Sequence, residues 1–212
     1  MSFQVSGMRR VAAILKARGI RVAEVEGWTT RGHSTFAPRA VVCHWTAAGR
    51  SVTSLLVHGR PGIPGPLCNF EVLPGSDGVK LVAAGKANHA GVARSGFTNS
   101  ITFGIEAAGP PISSEEFRVY QALVAAICKV YGLPVGDRVR DHREVALPFG
   151  RKVDISSQYD MGSSGGGSRG CTPARRWRCN AAPSAGTASP GTRDRGRSAC
   201  TAGRAAPARS SP

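Results

Sequence analysis

The chain reads as an α/β protein: a mixed central β-sheet flanked by helices, in a single domain followed by a disordered C-terminal tail. Three observations predict this. Apolar runs of strand length interleave with segments of helical period over residues 1–160. One run, Asn69-Phe70-Glu71-Val72-Leu73, meets a second from Val79 to Ala83 across Pro74-Gly75-Ser76-Asp77-Gly78, which is a hairpin pattern. Finally, the character of the sequence changes at Met161. Residues 162–212 contain no Leu, Ile, Val, Phe, Tyr or Lys. A segment of that kind buries too little apolar surface to offset chain entropy.

Residues 1–37 are expected to form an N-terminal helix and a lead-in. Met8, Val11, Ala12, Ile14 and Leu15 recur at helical spacing over 7–18, and Gly19 ends the helix. Residues 20–25 follow as a short extended segment. Gly27-Trp28-Thr29-Thr30-Arg31-Gly32-His33 is a loop, with His33 a solvated residue in it. Ala40-Val41-Val42-Cys43-His44 is an apolar run that predicts the first central strand. On it, Cys43 points to the opposite face from His44 and serves as a small buried hydrophobe. Residues 51–58 predict a short helix with Val52, Leu55 and Leu56 on one face and an exposed His58 at its end. Residues 59–66 hold three Gly and three Pro and predict a loop that walls a groove. Residues 91–99 are loop and 101–107 a strand, bounded by Gly109-Pro110-Pro111. Ser113 and Glu116 form a capping-box pattern that opens a helix running to about residue 131. Its buried side carries Phe117, Tyr120, Leu123, Val124, Ile127 and Cys128, and Gly132-Leu133-Pro134 ends it. Val139-Arg140 then leads into His142.

Charge and cysteine content narrow the function classes. The chain of 212 residues carries a formal net charge of +15. Residues 1–160 hold 19 Lys and Arg against 12 Asp and Glu, a net of +7; residues 161–212 hold 9 Arg against 1 Asp, a net of +8. A basic protein suits an anionic partner, a bacterial wall or a nucleic acid. Aromatic residues are 6% of the chain and no zinc-finger or stacking motif is present, which weighs against nucleic acid. The six cysteines include no C-x-x-C pair, so a cysteine zinc site is not indicated. No run of 18 apolar residues predicts a membrane span. The first ten residues lack the pattern of a secretory signal, so synthesis in the cytoplasm is expected. Three readings of the tail compete: a solvated basic arm, a binder of wall polymer or nucleic acid, and a frameshifted reading of a GC-rich gene. The last accounts for abundant Arg, Gly, Ala and Pro without Lys.

Three residues stand out as metal ligands. His44 ends the first strand, and His142 and Asp154 lie twelve positions apart in the segment from Asp141 to Asp154. Two imidazoles and a carboxylate leave one tetrahedral position on zinc open, the arrangement of a catalytic site.

Four strings around these residues resemble the zinc-dependent N-acetylmuramoyl-L-alanine amidases, which share their fold with the peptidoglycan recognition proteins. They are Val42-Cys43-His44-Trp45-Thr46-Ala47, Ala87-Asn88-His89-Ala90-Gly91, Phe103-Gly104-Ile105-Glu106, and Asp141-His142-Arg143-Glu144 with Gly150-Arg151-Lys152-Val153-Asp154. Their order and spacing resemble the family's over residues 38–160. There are departures: Trp45 stands where many relatives have a second His, and Ile155 follows Asp154 where Pro is frequent.

The resemblance implies a zinc amidase domain over 38–161 with one Zn2+ per chain on His44, His142 and Asp154. It implies Glu106 as general base and Lys152 as stabiliser of the tetrahedral oxyanion, and it puts His89, Asn88, Trp45 and Thr46 at the substrate. For Arg143 and Arg151 two readings stand side by side: guanidinium groups that bind stem-peptide carboxylates, or a solvated face. The implied activity is hydrolysis of the amide between N-acetylmuramic acid and L-alanine by a monomeric, endolysin-like enzyme acting on peptidoglycan. No specific nucleic acid and no membrane insertion are expected. A non-catalytic peptidoglycan-recognition module and a basic nucleic-acid-binding protein are the alternatives.

Overall fold

The computed structural model describes residues 3–75, 78–109 and 111–155. The tail at 162–212, the segment from Gln158 to Met161 and the Ser76-Asp77 turn lie outside the described residues. Eight strands and five helices follow one another in the described part. They are α1 (Val5–Lys16), β1 (Val22–Glu24), β2 (Ala40–Trp45), α2 (Thr53–His58), β3 (Gly59–Arg60), β4 (Ile63–Pro64), β5 (Phe70–Val72), β6 (Val79–Leu81), β7 (Thr102–Ala107), α3 (Ser114–Tyr131), α4 (Val135–Arg138), β8 (Val139–Asp141) and α5 (His142–Val145). Six strands form one sheet in the order β1-β6-β5-β7-β2-β8. The β5–β6 hairpin is antiparallel and every other pair is parallel, so the sheet is mixed as expected.

The parity of the strands divides the sheet into two faces. Val41 and Cys43 of β2, Phe70 and Val72 of β5, and Phe103, Ile105 and Ala107 of β7 join the main core. Met8, Val11, Ala12 and Leu15 of α1 and Val119, Tyr120, Leu123, Val124 and Ile127 of α3 complete it, so both long helices cover this face. Ala40 and Val42 belong instead to a small cluster with Phe97 and Val145. Loops and short helices cover that second face, and the groove opens there.

Capping chemistry fixes α3. The Ser113 hydroxyl accepts the Glu116 N–H at 3.1 Å, and Gly132 ends the helix in the left-handed conformation. The Glu116 carboxylate also accepts the Ala108 N–H at 3.2 Å, tying the helix start to the end of β7. Helix α1 begins at Val5, two residues earlier than periodicity predicts. Phe3 and Val5 pack on the core and the Gln4 N–H donates to the Ala84 carbonyl, so tertiary contact sets its start. The predicted loop at 59–66 carries the two-residue β3–β4 ladder, and β8, α4 and α5 are too short to leave a period in the sequence.

Tyr120 couples the helical layer to the strands beneath it. Its buried hydroxyl accepts the His44 N–H at 3.1 Å and donates to the Ile105 carbonyl at 3.2 Å. Burial pushes the phenol well above its ordinary pKa, which keeps the donor in place. Tyr120→Phe strands a buried N–H and a buried carbonyl, and the expected loss of stability is about 1–3 kcal/mol by chemical denaturation. A loss near zero would mean that the hydroxyl does not tie β2 to β7.

Candidate metal centre and groove

Register places two of the site residues side by side. His44 is the Cα partner of Glu106 across β2 and β7. His44 has the same parity as Ala40 and Val42, and Glu106 the opposite parity to the core residues Phe103 and Ile105, so both leave the sheet on the groove face. Glu71 of β5 lies next in that row, in register with Glu106. Its carboxylate is occupied at the start of α2, where it accepts from the Ser51 hydroxyl at 2.8 Å and the Val52 N–H at 2.9 Å, and from the Thr53 hydroxyl.

Backbone bonding brings in the other two. β8 pairs with β2, with Cys43 opposite Asp141, so the first residue of α5, His142, emerges beside His44. The Arg143 N–H then donates to the Asp154 carbonyl at 2.7 Å, which folds the intervening loop back and returns Asp154 to His142. Ile155, which follows Asp154, is fully buried in the main core and anchors the end of this segment.

The three side chains converge tightly. His44 Nδ1 lies 2.9 Å from His142 Nδ1, His142 Nδ1 3.0 Å from Asp154 Oδ2, and His44 Nδ1 3.3 Å from Asp154 Oδ2. All three residues are buried, and together they form a group that could hold a metal ion. Burial lowers the His44 pKa to about 4, against the pull of Asp154, so this ring is neutral near pH 7. Burial alone would raise the Asp154 carboxyl, but the bonding contacts with His142 and His44 outweigh it and hold the group ionised, below the ordinary carboxylate range.

The outer ring nitrogens show where the rings carry their Nε2 protons. His142 Nε2 faces the Ala90 carbonyl at 3.2 Å, and a carbonyl only accepts, so the ring's N–H is there. His44 Nε2 faces His89 Nδ1 at 3.0 Å. His89 Nε2 in turn faces the Thr102 carbonyl at 3.1 Å and the Thr102 hydroxyl oxygen at 3.2 Å, whose own proton goes to the Thr98 carbonyl. His89 therefore carries its proton on Nε2 and accepts on Nδ1 from His44 Nε2–H. Burial, followed by the neighbouring His44, lowers the His89 pKa well below its ordinary value and keeps that ring neutral too. In its neutral form, with the proton on Nε2 towards His89, His44 turns a bare Nδ1 to the carboxylate. The Nδ1 atoms of His44 and His142 and the Asp154 Oδ2 therefore meet within 2.9–3.3 Å, as donors to a single cation would.

Glu106 and Lys152 line the groove with these residues. Glu106 Oε2 is buried and has no hydrogen-bond partner among the described residues. Burial pushes the Glu106 carboxyl well above its ordinary value, the Asp154 charge adds to the rise, and the Lys152 ammonium opposes it. The groove, about 690 Å³, is also lined by Trp45, Thr46 and Asn88. Asn88 is held by the Pro64 and Pro66 carbonyls, to which its side-chain and backbone N–H groups donate at 2.9 and 2.7 Å. The Thr46 hydroxyl donates to the Ala108 carbonyl at 3.2 Å, and Trp45 packs partly against the main core.

Other residues fall differently. His89 also lines the groove, but it is 8% exposed and both its ring nitrogens are bonded inside the protein. Arg151 reaches the groove but donates to the Leu147 and Val92 carbonyls. Arg143 pairs with Asp141 at 3.2 Å and is not among the lining residues. His33 and His58 are outside the groove, as expected. Arg60 lines the groove from the loop predicted to wall it, whereas Asn99, also a lining residue, carried no sequence signal. Asn99 sits before a strand like many loop polar residues, but its Oδ1 accepts both the His89 and Ala90 N–H groups, at 3.1 and 2.8 Å.

A family model described as N-acetylmuramoyl-L-alanine amidase matches residues 34–157, more than half of the chain. No curated protein matches. Among solved structures, the amidase LysC from Clostridium intestinale URNW is similar at 20% identity, over 60% of this chain and 85% of that one, with a TM-score of 0.49. AmpDh3 from Pseudomonas aeruginosa, solved with an anhydromuramic pentapeptide, is similar at 19% identity over 62% and 60% of the two chains, with a TM-score of 0.47. An endolysin mutant from Bacillus subtilis is similar at 15% identity over 59% and 85%, with a TM-score of 0.44. With a matched region that holds the His-His-Asp centre, Glu106 and Lys152, the chain belongs to the N-acetylmuramoyl-L-alanine amidase family.

Proposed function

We propose that the protein is a zinc-dependent peptidoglycan amidase, with His44, His142 and Asp154 holding one Zn2+ and Glu106 and Lys152 as its catalytic residues. The bond cut is the amide between the lactyl group of N-acetylmuramic acid and L-alanine. The observation that carries this reading is the convergence of two imidazole Nδ1 atoms and a carboxylate oxygen within 3.3 Å of one another. A tetrahedral zinc about 2.0–2.2 Å from N and O donors has donor–donor edges of roughly 3.3 Å. The observed 2.9–3.3 Å edges need only a slight opening to admit it. Two imidazoles and a carboxylate are the donor set of a catalytic zinc with one position left open. Zinc held there supplies Lewis acidity, polarising a carbonyl and lowering the pKa of water towards ~7.

The chain's own residues do the rest. Glu106 takes a proton from the attacking water and passes one to the departing amine, and its unpartnered Oε2 is free for that task. Its raised pKa favours holding a proton long enough to deliver it. The Lys152 ammonium faces the oxyanion that develops on the scissile carbonyl. Trp45, Thr46 and Asn88 contact the muropeptide along the groove. The partner is bacterial peptidoglycan and the setting is wall lysis of the endolysin kind. Among the described residues no helix is long and apolar enough to cross a membrane.

Digestion of purified peptidoglycan followed by mass spectrometry tests the reaction. The expected products are stem peptides with a free L-alanine amine, lost on chelation and restored by zinc. Intact glycopeptides from folded, zinc-loaded protein would leave a recognition module instead. Glu106→Gln is expected to lower kcat by about 10²–10⁴-fold and to abolish the acid limb of the pH–rate profile, because the base form exists only above the Glu106 pKa. Lys152→Met is expected to cost about 10²–10³-fold in kcat. Both variants should still bind one zinc by equilibrium dialysis, whereas His142→Ala, short of one donor, should bind less than one. Stoichiometric zinc in His142→Ala would exclude this residue from the ligand set.

A further inference from the structure

We infer that the His89-Ala90 dipeptide, clamped by Asn99, is a positioning device that sets the tautomers of both histidine ligands. The inference rests on the metal reading of His44 and His142 but concerns residues that hold no metal themselves. Two adjacent residues reach the two ligands by different means. The His89 ring accepts from His44 Nε2–H at 3.0 Å, and the Ala90 carbonyl accepts from His142 Nε2–H at 3.2 Å. Each bond fixes a proton on the ring's Nε2 and turns its Nδ1 to the centre. Partners of this kind orient the ring and raise its basicity.

The device is anchored on three sides. Asn99 Oδ1 accepts the N–H groups of both His89 and Ala90, so the dipeptide is held as a unit. Thr102 fixes the far end of the His89 ring through two acceptors, its carbonyl and a hydroxyl whose proton is already given to Thr98. Gly104 of β7 supplies the space: a Cβ there would lie 2.5 Å from His89 Cγ and 2.9 Å from its Nδ1. A side chain at position 104 would therefore drive the ring off the line between Thr102 and His44. The proton order is forced from one end to the other. Thr102 can only accept, so His89 donates from Nε2 and accepts on Nδ1, and His44 donates from Nε2 and keeps Nδ1 bare.

Substitutions at His89 separate this role from packing. In Asn the side-chain oxygen stands near the place of Nδ1 and accepts from His44, whereas Phe keeps the ring and removes the acceptor. Zinc affinity, measured on the full chain by competition with a chelator, is expected to fall about 10–100-fold in His89→Phe. His89→Asn should bind more tightly than His89→Phe. A role in packing alone predicts the reverse order, and that order would overturn the proposal. Long-range proton–nitrogen NMR of the metal-free wild type gives a second test, independent of whether any variant folds. It should show His44, His89 and His142 each protonated on Nε2. Protonation of His44 or His142 on Nδ1 would also overturn the proposal. Absence of zinc binding by the wild type, with all three rings protonated on Nε2, would instead sink the metal reading and leave the proton order standing.

Discussion

The site depends on one close convergence: two imidazole nitrogens and a carboxylate oxygen held within 3.3 Å of each other in buried surroundings. Polar groups gathered so tightly away from water must be held there by the fold. It does so with backbone. The parallel β2–β7 and β2–β8 ladders fix His44 and the approach to His142, and the Arg143–Asp154 bond closes the loop that returns the carboxylate. Donors assembled in advance in this way could hold a metal ion without further cost of gathering them.

The division of labour between the two faces of the sheet explains why the enzyme keeps both a core and a cleft. One parity of β2 and β7 is apolar and lies beneath α1 and α3; the other carries His44, Gly104 and Glu106. Tyr120 reaches from the helical layer to the backbone of His44 and so ties the core to the His-His-Asp group. Loops at 60–67, 88–91, 99 and 151–154 supply much of the groove's lining. Strands therefore position His44 and Glu106, and irregular backbone shapes the groove around them.

Much of this was legible in the sequence, for local reasons. The helix α3 announced itself through its cap, its period and Gly132. The strand β2 did so through an apolar run too short for a helix, and the parity of Cys43 against His44 followed from the strand period. His44, Glu106, His142, Lys152 and Asp154 all line one groove because each is tied to a strand or to a short segment that folds onto one. The partner shell was not legible. The support of His142 is a main-chain carbonyl at Ala90, a residue with no chemistry of its own, and Asn99 resembles any polar loop residue until its two backbone partners are in place. His89 was visible as a residue of interest, but its work depends on Thr102 and Gly104 meeting its ring from a neighbouring strand. Elements of two to four residues, β3, β4, β8, α4 and α5, are set by tertiary bonding and carry no period.

A crystal of the zinc-loaded protein, with anomalous diffraction collected at the zinc absorption edge, addresses the centre itself. The account predicts a single strong peak bonded to Nδ1 of His44, Nδ1 of His142 and a carboxylate oxygen of Asp154, each at about 2.0–2.2 Å. A peak elsewhere, or zinc bound through the Nε2 atoms, would contradict it.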